Sequence, residues 1–215
     1  MPIGTPVYPV NLVVAGRPVL LVGGGGVARR KAEALAACGA QITVVAPRIL
    51  SAIEQLAGVR CERRPYATGD IAGHQLVVCA VDDRRVAEQV AADAESAGVW
   101  VNVADDLELC SVVLPAVVRQ GPITVAVGTA GRSPALASWL RRWLEQEIGP
   151  EHETVLELME EARRAVHESG RSTEGLDWHG ALDGGMLDLV RSGRIDEARS
   201  RLEAVLTREE SPTCR

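Results

Sequence analysis

The residues best suited to chemistry in this chain are a run of glycines and a pair of carboxylates. Gly23-Gly24-Gly25-Gly26-Val27-Ala28 fits G-x-G-x-x-A and lies between an apolar run, Val19–Val22, and a segment rich in Ala, Leu, Glu and Lys. A strand–turn–helix setting is what gives this motif meaning. Gly23 permits the tight turn, Gly25 has no Cβ and lets a pyrophosphate approach the backbone, and Ala28 is small enough for the helix to pack on the strand. The first N–H groups of the helix and their partial positive charge complement the phosphates. The chemistry implied is the binding of a nicotinamide dinucleotide. A glycine turn without a ligand is the alternative, and it is conformationally costly. The next apolar run ends Val44-Val45-Ala46-Pro47-Arg48, with no acid at its tip to hold the adenosine ribose. Arg48 suits a 2′-phosphate, or is a solvated loop arginine; spacing alone does not choose between NAD and NADP.

Asn102-Val103-Ala104-Asp105-Asp106 closes a later apolar run. Ligands of open α/β sheets bind at the carboxyl ends of the strands, so Asp105 is a candidate general base, or a ligand for an incoming metal ion. A solvated turn would use the same residue types. Asp82-Asp83 is similarly placed but reads as a helix N-cap. The histidines, His74, His152, His167 and His179, are scattered without ligand spacing. The five cysteines (Cys38, Cys61, Cys79, Cys110 and Cys214) include no two within four residues. Neither a disulfide framework nor a permanently bound metal is expected.

The elements that must position these groups follow an alternating pattern. Strands are expected at Val19–Val22, Gln41–Ala46, Val59–Arg63, Gln75–Ala80 and Trp100–Val103. Helices are expected over Val27–Cys38, closed by Gly39, and from Asp82-Asp83 to about Ser96. This order implies a parallel sheet with right-handed crossovers. Beyond Asp106 the character changes. Ser111–Arg119 reads as a strand or strand pair interrupted by Pro115, Gly121-Pro122 as a turn, and Ile123–Val127 as a strand. Ser133-Pro134 opens a helix to about Ile148, and residues 151–206 read as helical, with breaks near Ser169–Asp177 and at Ser192-Gly193. The expected fold class is α/β: a Rossmann-type parallel sheet over 1–108, a small α+β region over 109–150, and a helical domain over 151–215.

Composition narrows the class of partner. Of 215 residues, 47% are hydrophobic and 24% charged, with 3% aromatic and no Phe, so the core must be built from Val, Leu, Ile and Ala. Net charge is −6, and residues 151–215, with 15 acidic and 9 basic side chains, supply all of it. No basic block is present, which argues against nucleic acid or an anionic membrane as partner. The first residues lack the order of a signal peptide and no stretch of 18 apolar residues occurs, so a reducing, cytoplasmic setting is expected.

Three segments together resemble precorrin-2 dehydrogenase, the NAD-binding module of siroheme synthase: VLLVGGGGVARRKAEALAACGAQITVVAP, VNVADDLELCSVVLPAVV and ITVAVGTAGRSPALASWLRRWLE. They span about residues 8–148. The first is shared by many dinucleotide-binding folds, whereas a generic one has no need of the other two. The resemblance implies oxidation of precorrin-2 to sirohydrochlorin with NAD in siroheme or cobalamin biosynthesis. Some members also insert ferrous iron. It implies an intertwined homodimer, and the stand-alone form without the methyltransferase domain of the fused enzymes. It makes Asp105 the aspartate of catalysis and chelation, a transient iron ligand, with Asn102 beside it. It places Gly26 and Val27 against the cofactor, with Pro47 and Arg48 near its adenosine ribose and Ala80 and Val81 also in the cofactor site. It puts Thr129 in the tetrapyrrole cleft, where some members carry serine, with Arg132, Ser133 and Arg119 as further substrate contacts; Arg141 and Arg142 are either cations for the substrate's carboxylates or ordinary surface residues. Gly26 departs from members with an acid there. Two other readings stand beside this one: a non-catalytic module that senses NAD(H) and gates a partner, and an oxidoreductase acting on another small substrate.

Overall fold

Five short runs of β-branched and aliphatic residues build one sheet. In the computed structural model, which describes residues 4–206, they are β1 (Pro18–Val22), β2 (Gln41–Val45), β3 (Val59–Glu62), β4 (Leu76–Cys79) and β5 (Trp100–Val103). All neighbouring pairs are parallel, in the order β3-β2-β1-β4-β5. β1 and β4 are buried along almost their whole length, as continuous apolar runs require when helices cover both faces. Helices α1 (Gly26–Ala37) and α2 (Ser51–Glu54) cover one face. There Ala28, Ala32 and Ile53 pack with Val19, Leu21, Ile42, Val44 and Val78. Helix α3 (Arg84–Ser96) covers the other face, where Ala87, Val90 and Ala94 meet Leu20, Val22, Val77, Val101 and Val103. The Rossmann-type class expected from the sequence is what forms. Asp83 caps α3 as anticipated, its carboxylate accepting from the Arg85 N–H at 2.9 Å.

The strand expected within Ser111–Arg119 begins later. Residues 111–115 are irregular because their donors are already used: the Ser111 and Val112 N–H groups both bond the Val101 carbonyl, and the Ser111 hydroxyl accepts from the Val101 N–H. Pro115 contributes no N–H, and β6 (Ala116–Gln120) starts just after it, pairing antiparallel with β7 (Ile123–Val127) around the Gly121-Pro122 turn.

Two compact units result. One holds the parallel sheet up to Pro115 together with Gly128–Pro134; the other holds Ala116–Val127 and everything from Ala135 onward. The hairpin and α4 (Pro134–Glu147) thus group with the C-terminal helices, a partition different from lines at 108 and 150. In the second unit α5 (Pro150–Glu168), α6 (Trp178–Ala181), α7 (Leu187–Arg191) and α8 (Ile195–Leu206) close around Leu158, Met186, Ala198 and Leu202. A π-type turn over Leu182–Met186, with Gly185 at φ 87°, adds a break between α6 and α7 that the helical reading of 151–206 lacks. Among the described residues no helix is long and apolar enough to cross a membrane. Cys214 lies outside the described residues, as does the rest of 207–215.

Candidate active site at the carboxyl edge of the sheet

All five strands end on one edge, and their register lines the candidate residues up there. Val22, Cys79 and Val103 are side by side on β1, β4 and β5. The ladder runs one residue further: the Ala80 N–H bonds the Val22 carbonyl at 2.7 Å, and the Ala104 N–H bonds that of Cys79 at 2.8 Å. Gly23, Ala80 and Ala104 therefore stand in a row, with Asp105 next. One strand separates β1 from β5, so about 10 Å of sheet lies between the glycine turn and Asp105.

The glycines divide into two pairs with different reasons. Gly23 has φ 120°, and a Cβ there would lie 2.2 Å from the Ala80 carbonyl oxygen. A Cβ on Gly24 would lie 2.2 Å from the Arg48 carbonyl oxygen, because the loop after β2 crosses closely enough for the Leu50 N–H to bond the Gly24 carbonyl. These two positions serve the protein's own packing. Around Gly25 and Gly26 a Cβ would meet no other described residue within 4 Å beyond the adjoining backbone. Gly25 is the N-cap of α1, with ordinary extended φ and ψ of −87° and −166°, no side-chain cap and no acid in the first turn. Glycine there weakens the helix start without any demand from the chain, and it leaves the first-turn N–H groups open to an external acceptor. A pyrophosphate fits this cradle. Val27 is half-buried on the first turn; Pro47 and Arg48 are exposed past β2; Ala80 and Val81 are half-buried past β4.

The two carboxylates beyond β5 are used differently. Asp106 caps the short 3-10 turn Leu107–Leu109 by accepting from the Glu108 N–H, and it pairs with Arg84 at 3.5 Å. Asp105 is exposed and has no hydrogen bond or ion pair with any described residue, and its backbone is left-handed at φ 63°. Asp tolerates that region better than most residues, but holding it there needs support from its surroundings. Cys110 supplies it. This buried thiol accepts from the Val103 N–H at 3.2 Å and faces the carbonyls of Val103 at 3.3 Å and Asp106 at 3.2 Å, clasping both sides of Asp105. Burial raises the thiol's pKa, which keeps the proton that the clasp needs. Asn102, 7% exposed, donates to the Val112 carbonyl at 2.9 Å and to the Cys110 sulfur at 3.7 Å. Its amide holds the segment that shapes the turn.

The loop 128–134 belongs to the same unit. Ala130 and Gly131 are consecutive left-handed residues (φ 49° and 76°) in a turn closed by Arg132 N–H to the Thr129 carbonyl at 2.9 Å. The Thr129 hydroxyl also meets the Ser133 N–H and carbonyl, each at 3.2 Å. Gly131 sits directly on the Leu107 side chain, which leaves no room for a Cβ at 2.1 Å. The loop carrying Thr129, Arg132 and Ser133 is thereby seated on the turn that follows Asp105. Arg132 is exposed; Ser133 is half-buried. Arg119 lies on β6 opposite Thr124 in the second unit, where Arg141 pairs with Glu145 along α4. Among the described residues no three His, Cys, Asp or Glu side chains gather as a metal site.

One member of this site is missing from the sequence reading: Cys110 is read there only as a cysteine without a spaced partner.

The chain is similar to known proteins over most of its length. Residues 10–116 match a family model described as "Putative NAD(P)-binding". The siroheme synthase of Azotobacter vinelandii is 40% identical over 196 residues, 89% of this chain and 42% of that protein. That of Ectopseudomonas mendocina is 37% identical over 192 residues, 87% of this chain and 41% of that protein. The chain thus spans about two-fifths of the length of these relatives. The solved structure of SirC, precorrin-2 dehydrogenase, superposes with a TM-score of 0.72 at 25% identity, over 93% of this chain and 98% of that one. The likeness to precorrin-2 dehydrogenase does not stop at the dinucleotide-binding sheet but continues over nearly the whole of both chains.

Proposed function

We propose that this protein oxidises precorrin-2 to sirohydrochlorin with NAD, in the route to siroheme or cobalamin. The observation that carries the reading is the pairing, on one sheet edge, of a glycine turn whose outer positions have room around them with a carboxylate that makes no hydrogen bond or ion pair with any described residue. When bound, the nicotinamide accepts the hydride, and the protein's part is to orient it. The Gly25–Val27 backbone and the α1 N-terminus would hold the pyrophosphate, with Pro47 and Arg48 near the adenosine ribose and Ala80 and Val81 as further cofactor-binding residues. Removing a hydride from the macrocycle leaves a proton to be lost, and Asp105 takes it. Thr129, Arg132 and Ser133 meet the substrate, arginine being suited to its carboxylates. The test is conversion of precorrin-2, followed by absorption, in the presence of NAD.

The same carboxylate favours a second step. Insertion of ferrous iron into sirohydrochlorin releases two pyrrole protons, and Asp105 both accepts a proton and offers a transient ligand to the ion, which is a substrate here and not a resident metal. Spectra recorded with ferrous or cobaltous ion added after oxidation separate the two activities.

The functional unit we propose is a homodimer in the cytoplasm. The β6–β7 hairpin is a sheet of only two strands, too few to be stable unsupported. Leu136, Trp139 and Trp143, 48%, 55% and 48% exposed, form one stripe along α4 by their spacing of three and four. Exposed aromatic and aliphatic stripes of this kind mark interfaces. Sedimentation at micromolar concentration is expected to show twice the monomer mass; Trp139→Glu with Trp143→Glu should shift it to the monomer. A wild-type protein that sediments only as monomer would contradict this assembly.

A further inference from the structure

Lys31 is a half-buried cation that pairs with no described residue. It lies on the second turn of α1, half-buried, beside the stripe formed by Ala28 and Ala32. On one flank of the helix Ala36 joins the core that contains Ile53 of α2. Lys31 is on the other flank, four residues after Val27. Arg29 on the same helix pairs with Glu33. Lys31 makes no hydrogen bond or ion pair with any described residue. Burial holds its pKa below the ordinary lysine value, with Arg30 acting in the same sense; Asp105 and then Cys110 act against them. The acidic influences on Lys31 thus come from the far side of the glycine turn, from the residues that form and clasp the Asp105 turn.

An ammonium that has lost water and gained no partner is unfavourable unless something outside the chain completes it. Two anions are candidates: the cofactor's pyrophosphate and a carboxylate of the substrate. The pyrophosphate belongs at the first turn, and Lys31 is five residues further, about 7.5 Å along the axis. Its electrostatic neighbours are instead the groups of the Asp105 turn. A polycarboxylate approaching Asp105 meets a like charge, and a cation at that point offsets the repulsion while fixing one edge of the macrocycle.

We infer that Lys31 binds a carboxylate of the tetrapyrrole beside Asp105, a substrate-positioning role that rests on the dehydrogenase reading above. The probes are sirohydrochlorin for binding, precorrin-2 for turnover and NAD for the cofactor site. Lys31→Met keeps the apolar stem without the charge, Lys31→Gln is a second neutral variant, and Lys31→Arg restores a cation. Loss of one charge-assisted contact corresponds to about 10–100-fold. Both neutral variants should raise the Kd for sirohydrochlorin and the KM for precorrin-2 by that factor, with kcat and NAD affinity nearly unchanged. Lys31→Arg should recover most of the loss, and the salt dependence of sirohydrochlorin binding should be shallower in the neutral variants. Unchanged tetrapyrrole affinity in the neutral variants overturns the inference. So does loss confined to NAD affinity, which would assign Lys31 to the cofactor. A wild-type protein that binds NAD but neither binds sirohydrochlorin nor oxidises precorrin-2 overturns the dehydrogenase reading itself, and this inference with it.

Discussion

Asp105→Asn is expected to slow oxidation of precorrin-2 by roughly 10²–10⁴-fold, the usual size of a general-base contribution, with NAD affinity unchanged. The substitution keeps the size and the tolerance for a left-handed backbone, so the turn at φ 63° should persist. It removes the negative charge and the proton acceptor. The pyrophosphate turn lies two strands away, and so cofactor binding should be indifferent to the change. Iron insertion should fall as well, since pyrrole deprotonation and metal approach use the same carboxylate. Asp106→Asn is the control: Asn still caps the 3-10 turn, and the pair with Arg84 at 3.5 Å is largely exposed on the arginine side, where ion pairs contribute little. Steady-state rates for both variants, with NAD titrations alongside, decide the matter. Full dehydrogenase rate in Asp105→Asn would leave hydride transfer to positioning alone, with water taking the proton. Lost iron insertion with intact oxidation would restrict Asp105 to the metal's path.

Gly25→Asp is expected to abolish measurable NAD binding while the fold survives. Beyond the adjoining backbone no described residue lies within 4 Å of the position a Cβ would take, and the backbone there is extended, so the chain accommodates a side chain. Asp is moreover a favourable N-cap, and its carboxylate would occupy the first-turn N–H groups itself. That is why binding should be lost: the new carboxylate takes the donors meant for the pyrophosphate and repels its charge. Gly23→Asp makes the comparison informative. There the Cβ would strike the Ala80 carbonyl oxygen at a φ of 120°, and the expected result is loss of the folded domain. Calorimetric titration with NAD and circular dichroism on both variants tell the cases apart. Unimpaired NAD affinity in Gly25→Asp would place the cofactor elsewhere.

How much of this was legible beforehand follows from the kind of signal each feature leaves. The parallel sheet was readable because strands buried on both faces are continuous apolar runs, as in Val19–Val22, and because Gly39 and Asp83 mark helix ends by local rules. The glycine turn was readable as a motif, but its division of labour was not. Whether Gly24 is required depends on the loop at Arg48–Leu50 crossing over it, a contact between segments distant in sequence. The start of β6 was misplaced for a related reason. Ser111–Val112 has strand-like residue types, yet its donors are bonded to the Val101 carbonyl, ten and eleven residues back. The break at Gly185 was missed because a single glycine inside a helical pattern is ordinarily tolerated. Asp105 was identifiable by its place at a strand end. The clasp by Cys110 and the unpaired Lys31 were not, since a cysteine's hydrogen bonds and a lysine's neighbours depend on packing that no spacing encodes.

The most direct test of the central claim is to mix the purified protein with precorrin-2 and NAD and record the absorption spectrum with time. The expected result is appearance of the sirohydrochlorin spectrum together with stoichiometric formation of NADH. Binding of NAD with no change in the precorrin-2 spectrum would contradict it, and would leave the chain a module that holds the dinucleotide without performing the oxidation.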